Sequence, residues 1–368
     1  MKKNDSEISV LLTASGGIHT PGVIECLKNN YEKRKIRIIC TDIVEQPLLR
    51  FIADRFYIVP RGNSEKYIGA IKKICKKEKI NVIIPGEINE ILSISNNQEF
   101  FNSVKIASTV SSLKSIRIAV SKEKVFQKLK PIGINIPNYY VVKNYKEFLV
   151  SVKKLGYPNS DICFKPSRQS ESGGSKGFRI LRERNTAGKI ILEQKPDSVE
   201  IDFETTKNMF KTKKKIELLV MEYLSGDEFS VYVLANKGKM LYCIQNLRQK
   251  LNQHYSFEAL TVKNKQITEM CKKITNELKL DYNVNIQFKN SKNDQPKLIE
   301  INPRIGGTIV LSAASGVNLP YFSVKQALGE KIPLKNKMKQ TKMIRYWKEM
   351  YVQGKEHFEL SKNRKKLL

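Results

Sequence analysis

The first hundred residues alternate short β-branched runs with stretches of helical period. Ile8 to Thr13 reads as a buried strand, followed by Ser15-Gly16-Gly17 and a helix-like Pro21 to Asn29. Ile36 to Thr41 with Asp42 at its end, Phe56 to Val59, and Asn81 to Ile84 read as three further strands, and Ile68, Ile71, Ile74 and Cys75 recur at helical spacing between the last two. Strand, loop, helix, strand in this order predicts a parallel α/β sheet, with ligand-facing groups at the carboxyl ends of its strands. Those ends carry Ser15, Gly16, Gly17, Asp42, Glu87 and Glu90.

Downstream the period changes. A helix from about Leu113 to Leu129 runs into Pro131, Gly133 and Pro137, which punctuate a linker. From Tyr139 the pattern is α+β: strands at Ile162 to Lys165, Leu218 to Tyr223, Phe229 to Ala235 and Lys239 to Gln245, a helix at Ile267 to Leu278, and strands at Val284 to Phe288 and Lys297 to Ile301. Ser172 to Gly177 is a flexible loop leading to Phe178 through Leu181, residues 189–215 form a polar excursion, and there is no internal repeat. The expected domains are an N-terminal α/β unit over 1–112, a small lobe over 113–185, a central and C-terminal lobe over 186–334, and a basic tail over 335–368.

Charge changes this picture less than its size suggests. Lys and Arg number 66 against 36 Asp and Glu in 368 residues, a formal net charge of +30. Such an excess fits a polyanion binder. Yet 52 of the 66 are lysines spread along nearly every segment, and the forked arginine donor that grips guanine edges and phosphates is scarce. No aromatic interleaving or arginine-rich helix accompanies them, so no specific nucleic-acid partner is expected. The 11 Lys and Arg against 3 Glu in residues 335–368 read as a solvated helical tail, the alternative being contact with an acidic partner. The six cysteines form no CxxC pair, and the three histidines form no HExxH, which removes zinc-hydrolase chemistry. Residues 1–7 lack the apolar core of a signal peptide and no run approaches the ~18 apolar residues of a membrane span, so a cytoplasmic protein without a membrane span is expected.

The most informative stretch is Leu298-Ile299-Glu300-Ile301-Asn302-Pro303-Arg304-Ile305-Gly306-Gly307. Side chains two apart share a strand face, so Glu300, Asn302 and Arg304 project together with Ile299 and Ile301 packed behind. Glu and Asn are hard oxygen ligands suited to magnesium, and Arg suits the phosphate that magnesium bridges. If the preceding strand pairs with this one as a hairpin, Gln287 comes beside Glu300. Two further groups fit a nucleotide. The strand ending Glu222-Tyr223-Leu224 offers backbone groups to an adenine edge, and Glu228 can accept from ribose hydroxyls. Lys165 lies in an apolar run where a lysine needs an anionic partner, and the loop Ser172-Gly173-Gly174-Ser175-Lys176-Gly177 can cover phosphates with backbone N–H groups. It lacks P-loop spacing.

In this order and spacing the elements resemble an ATP-grasp enzyme of the branch similar to the carbamoyl-phosphate synthase large chain, from the first strand through about Lys331. The resemblance implies an α/β and α+β protein, with a parallel pre-ATP-grasp lobe followed by a two-subdomain ATP-grasp fold. It implies that Lys122 and Lys165 hold ATP phosphates under the 172–177 loop, and that Glu222, Tyr223 and Leu224 meet adenine with Glu228 at the ribose. Gln287, Glu300 and Asn302 would hold two magnesium ions, manganese being able to substitute, with Arg304 and Lys165 at the transferring phosphoryl group. The chemistry implied is phosphorylation of a carboxylate followed by amine attack.

The chain departs from that branch in carrying one module, no regulatory domain and no glutaminase-like Cys/His pair. It has Ser121 where relatives often have Asp, and a longer polar stretch over 182–215. Ligation of one small or sugar-linked carboxylate to an amine is therefore expected over carbamoyl phosphate formation. The alternatives are a nucleotide-binding protein without turnover and a single-module carbamate- or carboxylate-phosphorylating relative. Acceptor candidates are Ser15, Gly16 and Gly17 with His19, unless these form a plain turn; Arg248, unless it is a surface residue; and Glu87, Gly306 and Gly307. The partners expected are small-molecule carboxylate and amine substrates. Similar enzymes are commonly homodimers, and the sequence leaves the oligomeric state open.

Overall fold

The computed structural model describes residues 7–167, 178–182, 200–212, 216–252, 255–334, 337–354 and 356–359. The parallel sheet comes first. β1 (Ile8–Leu12), β2 (Ile36–Asp42), β3 (Arg55–Ile58), β4 (Val82–Ile84) and β5 (Ala107–Ser108) lie in the order β3-β2-β1-β4-β5, every neighbouring pair parallel. β1 is buried along its whole length, as a central parallel strand covered on both faces should be. Its carboxyl end opens into the turn at Ser15 to Gly17, and the helix Thr20–Lys28 then packs back on the sheet.

Below that turn Glu90 is 2% exposed and accepts from the Thr13 hydroxyl at 2.5 Å. Burial, with Glu87 and Asp42 adding to it and Thr13 opposing, pushes the Glu90 carboxyl up to about 7. The folded state therefore holds a proton there that the unfolded chain releases at ordinary carboxylate pH. This stabilisation is complete below the ordinary range and is lost as pH rises through about 7, to the extent of about 3 kcal/mol. Glu90→Gln should flatten the pH 5–8 dependence of urea unfolding and make the protein more stable than wild type at pH 8. An unchanged slope would contradict it.

The second sheet contains β6 (Tyr139–Val142), β7 (Ile162–Pro166), β8 (Arg179–Arg182), β9 (Glu200–Asp202) and β10 (Leu218–Glu222), in the order β6-β10-β7-β8-β9. Because β10 lies between β6 and β7, the small lobe extends to Glu222 rather than ending near residue 185, and part of the expected excursion is β9 and the helix Phe203–Thr212. The helix expected over 113–129 is two helices, Leu113–Ala119 and Lys122–Leu129. Ser121 starts the second by accepting from the Lys124 amide, a side-chain cap that ends one helix and begins another.

The third sheet has β11 (Glu228–Asn236), β12 (Lys239–Asn252), β13 (Tyr255–Val262), β14 (Tyr282–Asn290), β15 (Pro296–Asn302) and β16 (Lys342–Ile344), in the order β15-β14-β11-β12-β13-β16. Alternation in β11 serves two cores. Val231 and Val233 face the helix Lys265–Glu277, while Tyr232 and Leu234 face the parallel lobe together with Leu319, Tyr321 and Phe322. Both lobes are thereby fixed to one sheet.

The C-terminal segment corrects the expectation of a solvated helical tail. Lys342–Ile344 joins the third sheet as an edge strand antiparallel to β13, and a hairpin of β17 (Tyr351–Gln353) and β18 (Glu356–Phe358) follows, with His357 against Phe51. β13 left an unpaired edge, and Met343 and Arg345 alternate with exposed Ile344 and Tyr346 to fit it.

Candidate active site

The hairpin of β14 and β15 sets Gln287 opposite Glu300, the pairing expected from the sequence, and also Asn285 opposite Asn302. The register shifts between Gln287 and Phe288, a bulge that turns both Leu298 and Ile301 into the core. Ile299, expected behind Glu300, is outside that core, and its carbonyl accepts from Lys165 Nζ at 3.5 Å. Glu300 Oε1 accepts from Asn302 Nδ2 at 2.7 Å, and Oε2 lies 3.3 Å from Lys122 Nζ.

Lys122 is the first residue of its helix and 6% exposed. Lys165 comes from β7, the middle strand of the small lobe's five. Burial would raise the Glu300 carboxyl, but Lys122, Lys165 and the Asn302 hydrogen bond outweigh it and hold it at about 2. Burial, and then the charge of Lys122, bring Lys165 down to about 8 against the pull of Glu300. Buried Lys122 pairs with this carboxylate, and the ammonium of partly buried Lys165 acts on it from the Ile299 carbonyl. The cluster carries a surplus positive charge in a desolvated place, which a polyphosphate would neutralise.

The oxygens around Glu300 suit a hard divalent ion. Gln287 donates from Nε2 to Asn285 Oδ1 at 3.1 Å, which leaves its carbonyl oxygen turned to other partners. One ionised carboxylate and two amide oxygens match magnesium chemistry. No group of three His, Cys, Asp or Glu among the described residues does so, which is why a search for acids and histidines alone passes the site by. Asn285, buried and holding both Gln287 and the Ser230 hydroxyl, is a positioning residue that sequence reasoning missed. Its signal was present in the alternation Asn283, Asn285, Gln287 along an otherwise apolar strand. Arg304 follows a tight turn in which its amide donates to the Asn302 carbonyl at 2.7 Å, and its guanidinium donates to the Ile305 carbonyl.

Of the residues expected to meet a nucleotide, Glu222 is committed to structure. Its carboxylate accepts from the Asn138 amide at 2.8 Å and pairs with Lys297. Its own amide and that of Tyr223 donate to the Asn138 and Asp161 carbonyls, which leaves the Leu224 amide as the hinge donor without a backbone acceptor among the described residues. Lys289 Nζ sits 4.9 Å over the Tyr223 ring. Glu228, at the start of β11, is ion-paired with Arg248, directly opposite it on β12, and Arg248 Nε donates to Ser256 Oγ at 2.8 Å. Arg248 therefore faces the ribose candidate and not an open acceptor site. The loop Ser172, Gly173, Gly174, Ser175 and Gly177 lies outside the described residues.

The acceptor candidates divide. Ser15 Oγ donates to the Leu12 carbonyl at 2.8 Å, the Gly16 amide donates to Asp42 Oδ2 at 2.7 Å, and Glu87 caps the helix Ile88–Asn96 by accepting from the Asn89 amide. These groups are occupied within the N-terminal lobe. Gly17 and His19 lead into the helix Thr20–Lys28, which touches the large lobe where a Cβ on Gly22 would lie 2.8 Å from Val310, three residues after Gly307. A Cβ on Gly306 would fall 2.9 Å from the Tyr232 hydroxyl, so only glycine lets the chain cross β11 there. Burial, and then the charges of Arg304 and Arg345, bring His19 down to about 4, leaving a neutral imidazole. Arg345 was not foreseen.

Residues 214–350 match the family described as "ATP-grasp in the biosynthetic pathway with Ter operon", and residues 10–109 match "PylC-like, N-terminal domain". The carbamoyl phosphate synthase large chain of Caldanaerobacter subterraneus subsp. tengcongensis is 26% identical over 302 residues, covering 76% of this chain and 24% of that protein. That of Pyrococcus furiosus is 24% identical over 289 residues, 76% and 26%. The chain thus spans about a quarter of the length of these curated relatives.

Among solved structures, N5-carboxyaminoimidazole synthetase from Staphylococcus aureus superposes with TM-score 0.65 at 16% identity, covering 94% of this chain and 84% of that one. Biotin carboxylase from Campylobacter jejuni gives 0.64 at 15%, covering 90% and 73%, and L-amino acid ligase from Bacillus licheniformis gives 0.60 at 12%, covering 90% and 75%. At these identities the likeness is one of fold.

Proposed function

We propose that this chain, a member of the ATP-grasp superfamily, is an ATP- and magnesium-dependent ligase that phosphorylates a small or sugar-linked carboxylate and joins it to an amine. The observation that carries this reading is the buried cluster of Lys122, Lys165 and Glu300, with Asn302, Gln287 and Arg304 around it. Lys122 and Lys165 bind and orient the ATP phosphates, and their charge offsets the negative charge that spreads over the equatorial oxygens as the γ-phosphoryl group moves. Gln287, Glu300 and Asn302 would hold two magnesium ions, which when bound neutralise the β- and γ-phosphate oxygens. Arg304 steadies the group in transfer, and the Leu224 amide reads the adenine edge. Glu228, oriented by Arg248, accepts from the ribose. The phosphorylated carboxylate is then open to attack by an amine, with phosphate leaving.

The names of the compared proteins support this class, since synthetase, carboxylase and ligase all occur among them. A nucleotide-binding protein without turnover has no need of the Glu300 site. An ADP-release screen of carboxylates, including nucleotide-linked sugar acids, against ammonia, amines and amino acids should show release only when both partners are present. Release in no combination, with ADP still bound, would favour the non-catalytic alternative.

A further inference from the structure

The large sheet ends on an uncovered edge. In the order β15-β14-β11-β12-β13-β16 the last strand has β13 on one side and no described strand on the other. Its register sets Lys342 opposite Leu260, Met343 opposite Ala259 and Ile344 opposite Glu258. The Thr341 carbonyl accepts from the Thr261 amide at 3.0 Å, and the Arg345 amide donates to the Phe257 carbonyl at 2.8 Å, so the odd-numbered residues turn their backbone groups to β13. Backbone direction alternates along an antiparallel ladder. The N–H and C=O of Lys342, Ile344 and Tyr346 therefore point away from the sheet.

The side chains along this edge do not guard it against pairing. Ile344 is 65% exposed, Tyr346 73% and Trp347, the single tryptophan of the chain, 76%, with the Trp347 ring edge-on to Phe257 at 5.8 Å. Exposed Leu251 and Tyr255 stand at the neighbouring ends of β12 and β13. Edge strands are ordinarily blunted by an outward charge, a proline or a bulge. Here the charge at the middle of the run turns the other way, since the Arg345 guanidinium donates inward to the Ser256 and Gly307 carbonyls at 2.8 and 2.6 Å. The flanking lysines already hold acids, Lys342 with Glu258 and Lys348 with Glu359, each at 2.6 Å. The edge thus offers an acidic partner little free charge.

We propose that two copies of this chain pair through β16, antiparallel about a two-fold axis at Ile344, so that their large sheets join into one. The run is self-complementary in this register. Ile344 meets the second copy's Ile344, and Lys342 meets its Tyr346, an ammonium against an aromatic ring. Centring on Lys342 or Arg345 instead would set like charges face to face, which opposes pairing. An isologous contact of this kind closes at two copies. A five-residue seam is smaller than the about 1,200 Å² that a stable interface buries, so exposed Trp347, Tyr255 and Leu251 belong to it as well. The net charge of +30 on each copy repels at long range, and salt should therefore tighten the pair. The proposal rests on the fold and is independent of the ligase reading.

Sedimentation velocity of the full chain from about 1 to 100 μM, at about 0.15 M and 0.5 M salt, tests it. Wild type should move from 42.3 kDa toward twice that mass as concentration rises, and more readily at the higher salt. Ile344→Lys, at an exposed position, should weaken the dimer about tenfold or more by setting two ammonium groups across the axis. The register has its own readout, which a folding defect cannot mimic. Ile344→Cys should cross-link to a dimer under a mild thiol oxidant, the paired Cα atoms being about 5.5 Å apart, whereas Lys342→Cys, more than about 10 Å from its copy, should stay at the wild-type background. A wild type that stays monomeric throughout, a dimer indifferent to Ile344→Lys, or equal cross-linking at both positions overturns the proposal. So does a monomer whose Trp347 fluorescence responds to poly-glutamate, which would assign the edge to an acidic partner.

Discussion

Glu300→Gln should lower the rate of ADP release by about a thousandfold while leaving binding of metal-free ADP as tight as in wild type or tighter. Both halves follow from one geometry. Glu300 is the only carboxylate in the oxygen set, and its ionised form is secured by Lys122 at 3.3 Å and by Asn302 at 2.7 Å. An amide of the same shape keeps the strand and the Asn302 contact but removes the charge that a divalent ion requires. The same change releases Lys122 and Lys165 from their shared partner, and both then face the diphosphate alone. Magnesium should therefore cease to improve ADP affinity in the variant. Calorimetry with and without magnesium, beside the rate, checks this. Full activity, or loss of metal-free ADP binding together with activity, would contradict the assignment.

The second large effect is at Lys165. Replacement by Met should lower kcat/KM for ATP by about two to three orders of magnitude, because a desolvated ammonium aimed at phosphate oxygens acts in a low dielectric. Stability should move the other way. Burial and Lys122 bring Lys165 down to about 8, so keeping it charged in the folded state is unfavourable at neutral pH. Lys165→Met should accordingly melt no lower than wild type in the absence of nucleotide, a case of a site strained for function. A variant both inactive and clearly less stable would mean that Lys165 serves the fold.

What the sequence made legible follows from how local each signal is. Four of the five parallel strands were legible, β1 and β2 most plainly because both faces of the sheet are covered there, so Ile8–Leu12 and Ile36–Asp42 are nearly unbroken apolar runs, whereas the two-residue strand Ala107–Ser108 is too short to give a pattern. The pairing of Gln287 with Glu300 was legible because the two strands form a hairpin. The bulge beside Gln287 was not, since Ile299 and Ile301 are chemically alike and only the packing of Leu298 decides which of them faces the core. The break at Ser121 was hidden by a continuous helical period, in which one capping hydroxyl outweighs the pattern.

Arg345 was hidden for a different reason. A three-residue edge strand gains its order from β13, more than eighty residues away, and its own sequence lies in a lysine-rich segment that reads as solvated. Charge at large was a poor guide. Among the described residues Lys122 and Lys165 face Glu300, and Arg248 holds Glu228.

The central claim is that a carboxylate is activated by phosphorylation before an amine attacks. Hydroxylamine tests it most directly, as an amine that converts an acyl phosphate to a stable hydroxamate. With ATP, magnesium and a carboxylate that supports ADP release, the wild-type protein should form hydroxamate and ADP in equal amounts, and Glu300→Gln should form neither above background. ADP formed in step with the carboxylate but with no hydroxamate would contradict the account.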